Sequence, residues 1–107
     1  ATSTSVGDEL EAKAILSVFG EKSVLVNSTK SLTGHLLGGA GAVETIAAII
    51  EMNKNFVHGM PNLNKPDELA SKLNLVKKTR EVKINNFVKN SFGFGGHNAS
   101  LVIGRYE

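Results

Sequence analysis

Ser28-Thr29-Lys30-Ser31-Leu32-Thr33-Gly34-His35-Leu36-Leu37-Gly38-Gly39-Ala40-Gly41-Ala42-Val43-Glu44 is the stretch on which the fold turns. An apolar run, Val24-Leu25-Val26, leads into it, and a charge-free apolar run, Ala47-Ala48-Ile49-Ile50, follows. That order spells a strand, a polar turn and then a helix over residues 35–53 packed on several sides. The turn sets Lys30 and His35 where a strand ends and a helix begins, a common place for chemistry in an α/β layer fold. From Gly38 to Ala42 every residue is Gly or Ala. A Gly in a helix interior costs about 1 kcal/mol against Ala, so a face facing only solvent would not favour them. The expectation is that something packs closely there.

Toward the N-terminus, Ser5-Val6-Gly7-Asp8 resembles a capping box, and Glu9 and Glu11 add negative charge near the positive end of a helix. Leu10, Ala14, Ile15, Val18 and Phe19 recur at helical spacing as one apolar face, and Gly20 is a natural stop. Helix, strand, helix is the rhythm of a layered α/β unit. Toward the C-terminus, residues 60–67 hold two prolines and read as a surface connection, with a short helix after Pro66 through Glu68 and Leu73. Lys77, Lys78, Arg80 and Lys83 form a basic cluster that reads first as a solvated loop face and second as a docking patch for an acidic partner. Residues 82–91 and 99–106 look like strands. Between them, Phe92-Gly93-Phe94-Gly95-Gly96-His97-Asn98 is a hairpin tip too rich in glycine to be only a turn.

Composition narrows the classes. With 107 residues the chain is at most one small domain, and 41% apolar residues suffice for a core. A net charge of +2 and 6% aromatics, with no basic stripe, argue against nucleic acid. There is no cysteine, hence no disulfide, thiolate metal site or cysteine nucleophile in this sequence. No apolar run approaches the ~20 residues of a membrane span. Ala1-Thr2-Ser3-Thr4-Ser5 reads neither as a signal peptide nor as a domain start, but as a chain entered within a loop.

Lys30, His35 and Glu44 are the candidates for chemistry. Glu44 follows His35 by nine residues, two and a half helical turns, so the two would lie on different faces. A carboxylate on an apolar helix needs a cation or donors, and Lys30 is the nearest in sequence. Spacing leaves open whether they form a structural ion pair or part of a site. Neither a P-loop nor a dinucleotide-binding motif is present. His58 and His97 have no partners at metal-ligand spacing, so no metal site is expected. His58 reads as a surface loop residue; His97, beside the glycine tip, reads as near a site without serving it.

Taken together, Thr2-Ser3-Thr4 with Gly7-Asp8 and Glu11, residues 28–35, residues 38–44 and Asn90-Ser91-Phe92-Gly93-Phe94-Gly95-Gly96 resemble the elongating β-ketoacyl-acyl carrier protein synthases, the condensing enzymes of fatty-acid synthesis. The segments occur in family order over nearly the whole chain. The resemblance implies a thiolase-like fold, layered α-β-α-β-α in the intact enzyme, with residues 1–107 as the later portion of its C-terminal half. It implies decarboxylative Claisen condensation of an acyl thioester with a malonyl thioester. His35 matches the second active-site histidine, which stabilises the enolate formed as CO₂ leaves. Lys30 matches the active-site lysine, Glu44 its carboxylate partner, and Asp8 and Glu11 outer members of that network. Phe94 matches the gating aromatic, whose backbone N–H helps form an oxyanion hole, flanked by Gly93 and Gly95, which let the loop move and border the substrate. Thr2 and Thr4 match hydroxyls that bind the phosphopantetheine arm.

The family's cysteine nucleophile and its first histidine, which directly precedes the position of Ala1, are implied to lie in a missing N-terminal portion, leaving this polypeptide inactive by itself. No cofactor is implied beyond the phosphopantetheine of acyl carrier protein. Partners would be that carrier, the missing portion and a second copy in a homodimer, with no nucleic acid and no membrane. The compartment is open among cytoplasm, mitochondrion and plastid. Two alternatives stand beside this reading: a polyketide-type ketosynthase, whose lysine motif more often reads Lys-Ser-Asn-Ile-Gly-His, and a non-catalytic thiolase-like binding module.

Overall fold

The computed structural model describes residues 2–107; Ala1, and with it the junction at which the first histidine is expected, lies outside them. The chain divides into two units, one of Ala1–His35 and His58–Thr79, the other of Leu36–Val57 and Arg80–Glu107.

In the first unit, helix α1 spans Ser5–Phe19. Its cap is Thr4, one residue earlier than the capping-box pattern predicts: the Thr4 hydroxyl accepts from the Gly7 amide at 3.2 Å. Asp8 instead reaches back, and its Oδ1 accepts from the amides of Thr2 and Ser3, each at 3.1 Å. Gly20 ends the helix as expected, its N–H donating to the Leu16 carbonyl at 2.9 Å. The face that turns inward is not the expected apolar one. Leu10, Val18 and Phe19 are exposed, while Asp8, Glu11, Ala12, Ile15 and Leu16 form the covered stripe.

Strand β1 (Leu25–Val26) pairs in parallel with a later strand (β3) at Asn74–Leu75, shorter than the Val24-Leu25-Val26 run. Backbone bonds from Val76 N to Val26 O and from Met60 N to Val76 O, both 2.9 Å, continue the layer to residue 60. A single helical turn, α2 (Lys30–Thr33), follows β1, and a 3₁₀ turn at Ala70–Lys72 stands in for the short helix expected after Pro66. Lys22 closes this side, its ammonium donating to the carbonyls of Ser71 at 2.6 Å and Leu73 at 2.8 Å. Ala12, Leu73 and Val76 are its buried apolar residues.

The second unit is built on helix α3, Ala40–Lys54, which starts five residues later than predicted. A 3₁₀ turn at Leu37–Gly39 precedes it, and Leu37 sits at φ 52, a left-handed value that an α-helix cannot continue through. The helix ends at Asn55, also left-handed, and passes into β2 (Phe56–Val57), antiparallel to β4 (Arg80–Glu81). Strands β5 (Asn86–Gly93) and β6 (His97–Gly104) form the expected hairpin in continuous register from Asn86↔Gly104 to Gly93↔His97. Arg105 ties its far end to α3, donating to the Met52 carbonyl, to Asn55 Oδ1 at 2.7 Å and to the Ile84 carbonyl at 2.9 Å.

Helix α3 also inverts its expected burial. Glu44 is 6% exposed and Glu51 is buried, whereas Val43, Ile46 and Ile50 lie open, Ile46 at 58%. The covered side holds Ala40 and Met52 beside the two carboxylates, and in this chain apolar residues between Leu36 and Ile50 are left open. Among the described residues no large side chain is completely buried, and no helix is long and apolar enough to cross a membrane.

The tightest backbone approach is at Gly59, where a Cβ would stand 2.6 Å from the Lys77 carbonyl oxygen and 2.7 Å from Lys78 Cα. Both obstacles are backbone, so residues 77–78 would have to move. Gly59→Ala is expected to destabilise the protein by about 1–3 kcal/mol, the cost of overpacking a filled site. A urea-unfolding midpoint equal to that of the parent protein would contradict this close approach.

Candidate functional site

Two of the candidate residues lie in the first unit on the α2 turn, held by its own hydrogen bonds. Thr33 N and Gly34 N donate to the carbonyls of Thr29 and Lys30 at 3.1 and 3.0 Å, and the Ser31 hydroxyl donates to the Ser28 carbonyl at 2.9 Å. Asn62 adds an outside tether, its side-chain amide donating to the Ser31 carbonyl at 3.1 Å. Lys30, the first residue of α2, is half-buried. Gly34 caps the turn at φ 71, a value glycine adopts without strain, and delivers the chain to His35, which is exposed. Since His35 precedes α3 and is not part of it, the helical-face comparison between His35 and Glu44 does not apply.

His58 is corrected from a surface residue to a buried one. The Asn27 amide stands 3.1 Å from its Nδ1 and donates to its carbonyl at 3.2 Å, anchoring residue 58 to the strand end that leads into α2. Thr2 and Thr4 sit on the turn that Asp8 organises. Ser3, between them, is at φ 65, a strained value for serine that the Asp8 bonds hold in place. The Thr4 hydroxyl accepts a hydrogen bond and keeps its own proton to donate.

The second unit carries Glu44, Gly93, Phe94 and Gly95. Glu44 Oε2 lies 2.8 Å from the ammonium of Lys89 on β5, their side chains only 7% and 14% exposed. The sequence reading named Lys30 as the nearest cation for this carboxylate and did not name Lys89, which meets it here. A faint signal was there: Phe87, Lys89 and Ser91 alternate onto one side of the strand, and a lysine in that row needs a buried partner. Lys89 also donates to Ser91 Oγ at 2.8 Å and to the Asn90 carbonyl, so all three ammonium hydrogens have acceptors.

The hairpin tip is shorter than predicted, only Phe94-Gly95-Gly96, because pairing continues to Gly93↔His97. Gly95 and Gly96 stand at φ 79 and 80, successive left-handed values that confine the loop to glycine. Phe94 is fully exposed at the apex. The His97 ring lies over the tip, its Cδ2 3.6 Å from where a Gly95 Cβ would be. Among the described residues no three His, Asp or Glu side chains cluster as metal ligands.

Comparison with known proteins points one way. Residues 1–64 match the family model described as β-ketoacyl synthase, C-terminal domain. The 3-oxoacyl-[acyl-carrier-protein] synthase 1 of Escherichia coli K12 is 44% identical over 102 residues, covering 95% of this chain and 25% of that protein. A β-ketoacyl synthase from Burkholderia phymatum superposes with a TM-score of 0.93 at 34% identity, over 99% of this chain and 26% of that one. The ishigamide ketosynthase/chain length factor superposes equally, TM-score 0.93, at 30% identity, over 99% of this chain and 26% of that one. The chain thus spans about a quarter of the length of these relatives. The mixed helices and strands are those of the thiolase-like fold that ketosynthases share.

Because Glu44 and Lys89 are both withdrawn from solvent, Lys89→Met is expected to lower the unfolding free energy by about 3 kcal/mol, as when one partner of a buried ion pair is removed. Chemical denaturation monitored by circular dichroism measures this; a change under about 0.5 kcal/mol, typical of a surface site, would contradict the pairing.

Proposed function

We propose, given that this chain belongs to the β-ketoacyl synthase C-terminal domain family, that the protein containing it elongates acyl chains by condensing an acyl thioester with malonyl-acyl carrier protein. The observation that carries this reading is 44% identity, across 95% of the chain, to a protein named 3-oxoacyl-[acyl-carrier-protein] synthase 1. The reaction forms a carbon–carbon bond as CO₂ leaves: the electron pair released becomes an enolate and attacks the acyl carbonyl, and the resulting oxyanion expels a thiolate. It needs a nucleophile for the acyl group, donors for two developing oxyanions, and exclusion of water.

In this reading His35, delivered by the Gly34 cap, donates to the enolate oxygen. Phe94 closes the site and offers its amide to the acyl oxyanion, with Gly93 and Gly95 bordering the substrate. Lys30 and Glu44 are assigned to the polar network, and Asp8 and Glu11 to its outer members; both of these acids lie on the covered stripe of α1. Thr2 and Thr4, presented by the Asp8-braced turn, bind the phosphopantetheine arm. Residues 1–107 form the later part of the C-terminal half. The nucleophilic cysteine and the first histidine come from the remainder of the protein, since this sequence has no cysteine. No resident cofactor is required, and the partners are acyl carrier protein and a second copy of the enzyme. The aliphatic side of α3 (Val43, Ile46, Ile50) is the surface the remainder would cover. That same exposed side disfavours a solitary binding module.

A polyketide-type ketosynthase is the second reading, favoured by the likeness to the ishigamide ketosynthase/chain length factor. The same site would serve it, each round giving a 3-oxoacyl thioester, and the set of acyl donors that the complete protein accepts separates the two.

In the complete protein, His35→Ala is expected to slow decarboxylation of the malonyl thioester by about 10²–10³-fold, the usual effect of removing one oxyanion donor, with acylation of the cysteine little changed. Loss of acylation with normal decarboxylation would contradict the role assigned. Phe94→Ala is expected to slow acyl transfer about tenfold or alter chain-length preference, as a displaced gate would. Unchanged transfer kinetics and chain length, read by product analysis, would count against the gate.

A further inference from the structure

Helix α3 and the β5–β6 hairpin are joined by two cations at different heights. Arg105 grips the C-terminal end of the helix, at Met52 and Asn55. Lys89 grips its first half, at Glu44, and holds its own strand through Ser91 Oγ and the Asn90 carbonyl. Gly41, one turn before Glu44, faces Ser91: a Cβ there would stand in ordinary contact, 3.7 Å from Ser91 Oγ. Beyond Ser91 the hairpin is held differently. Cross-strand pairing ends at Gly93↔His97, and Ser91, facing Gly41, is the last residue of β5 before the tip with a contact to α3 given above. Residues 89–91 are thus the last anchored stretch before the tip, three residues short of Phe94.

We propose that Lys89 is a positioning residue for the reaction, clasping Glu44 so that the base of the hairpin is fixed on α3 and motion is confined to the glycine tip. This rests on the role given above to Phe94. A buried ion pair brings little net stability over well-packed apolar residues, but it does demand one geometry. A methionine at 89 would hold the strand against the helix without fixing its position. Three directed hydrogen bonds from one ammonium fix the strand along and across the helix at once, and the phenyl gate and its amide inherit that placement.

The test uses the complete protein with Lys89→Met and, as a shorter variant that keeps polarity without the charge, Lys89→Gln. Two readouts are needed. Hydrogen exchange should quicken at least about fivefold at the amides of residues 90–98, with residues 101–104 near Arg105 unchanged, as expected of local rather than global loosening. In steady-state kinetics, kcat for condensation should fall about tenfold with KM for the acyl donor within about twofold, while decarboxylation of malonyl thioester persists. Variants that are merely less stable, with parental exchange at 90–98 and parental kcat at temperatures where they remain folded, would overturn the proposal. Should the parental protein show no condensation at all, the reaction assignment fails separately, and exchange alone decides the clasp: unchanged protection at 90–98 refutes it.

Discussion

A carboxylate at 6% exposure on the first half of α3, met at 2.8 Å by a lysine from a neighbouring strand, is the constraint on which the second unit depends. Removing both charges from water is costly, and their mutual attraction offsets that cost only where the geometry is good and the remaining hydrogens find acceptors. Lys89 meets both conditions, with Ser91 and Asn90 taking its other hydrogens. In this chain the helix covers two carboxylates beside Ala40 and Met52 and leaves aliphatic residues open. Glu44 and Glu51 face inward while Val43, Ile46 and Ile50 face out. Helix α1 repeats the inversion, covering Asp8 and Glu11 and exposing Leu10 and Val18.

That inversion links packing to chemistry. Carboxylates covered in this way build polar networks, and networks place donors. The local geometry agrees in both units. In the first, glycine at φ 71 hands the chain from a tethered helical turn to an exposed histidine, and Asp8 braces a strained serine between two threonines. In the second, two left-handed glycines carry a fully exposed phenylalanine. Among these, Ser3 at φ 65 is the strained backbone position, a kind of outlier that gathers at functional sites.

Much of this was legible in the residues. The stop at Gly20, the strand before Ser28 and the terminal hairpin all follow local rules of propensity and turn chemistry, and the structure contains them. The start of α3 was not legible. Leu36 and Leu37 continue the apolar pattern, and only the backbone reveals that Leu37 takes a left-handed conformation and breaks the helix. The cap of α1 was misplaced by one residue because Ser5 and Thr4 are chemically alike, and the competing Asp8 bonds decide between them. His58 and Lys89 were missed for a different reason. Their burial depends on Asn27 and Glu44, respectively 31 and 45 positions away, and no pattern within a window reports such a partner. The roles of Lys30, His35 and Phe94 came from family resemblance, not from periodicity.

The most direct measurement is the stoichiometry of the reaction in the complete protein, supplied with an acyl thioester and malonyl-acyl carrier protein labelled in the free carboxyl group. One labelled CO₂ should appear for each 3-oxoacyl-carrier thioester formed, the acyl chain lengthened by two carbons. A protein that retains the labelled carboxyl group and forms no 3-oxoacyl product would contradict the condensing role.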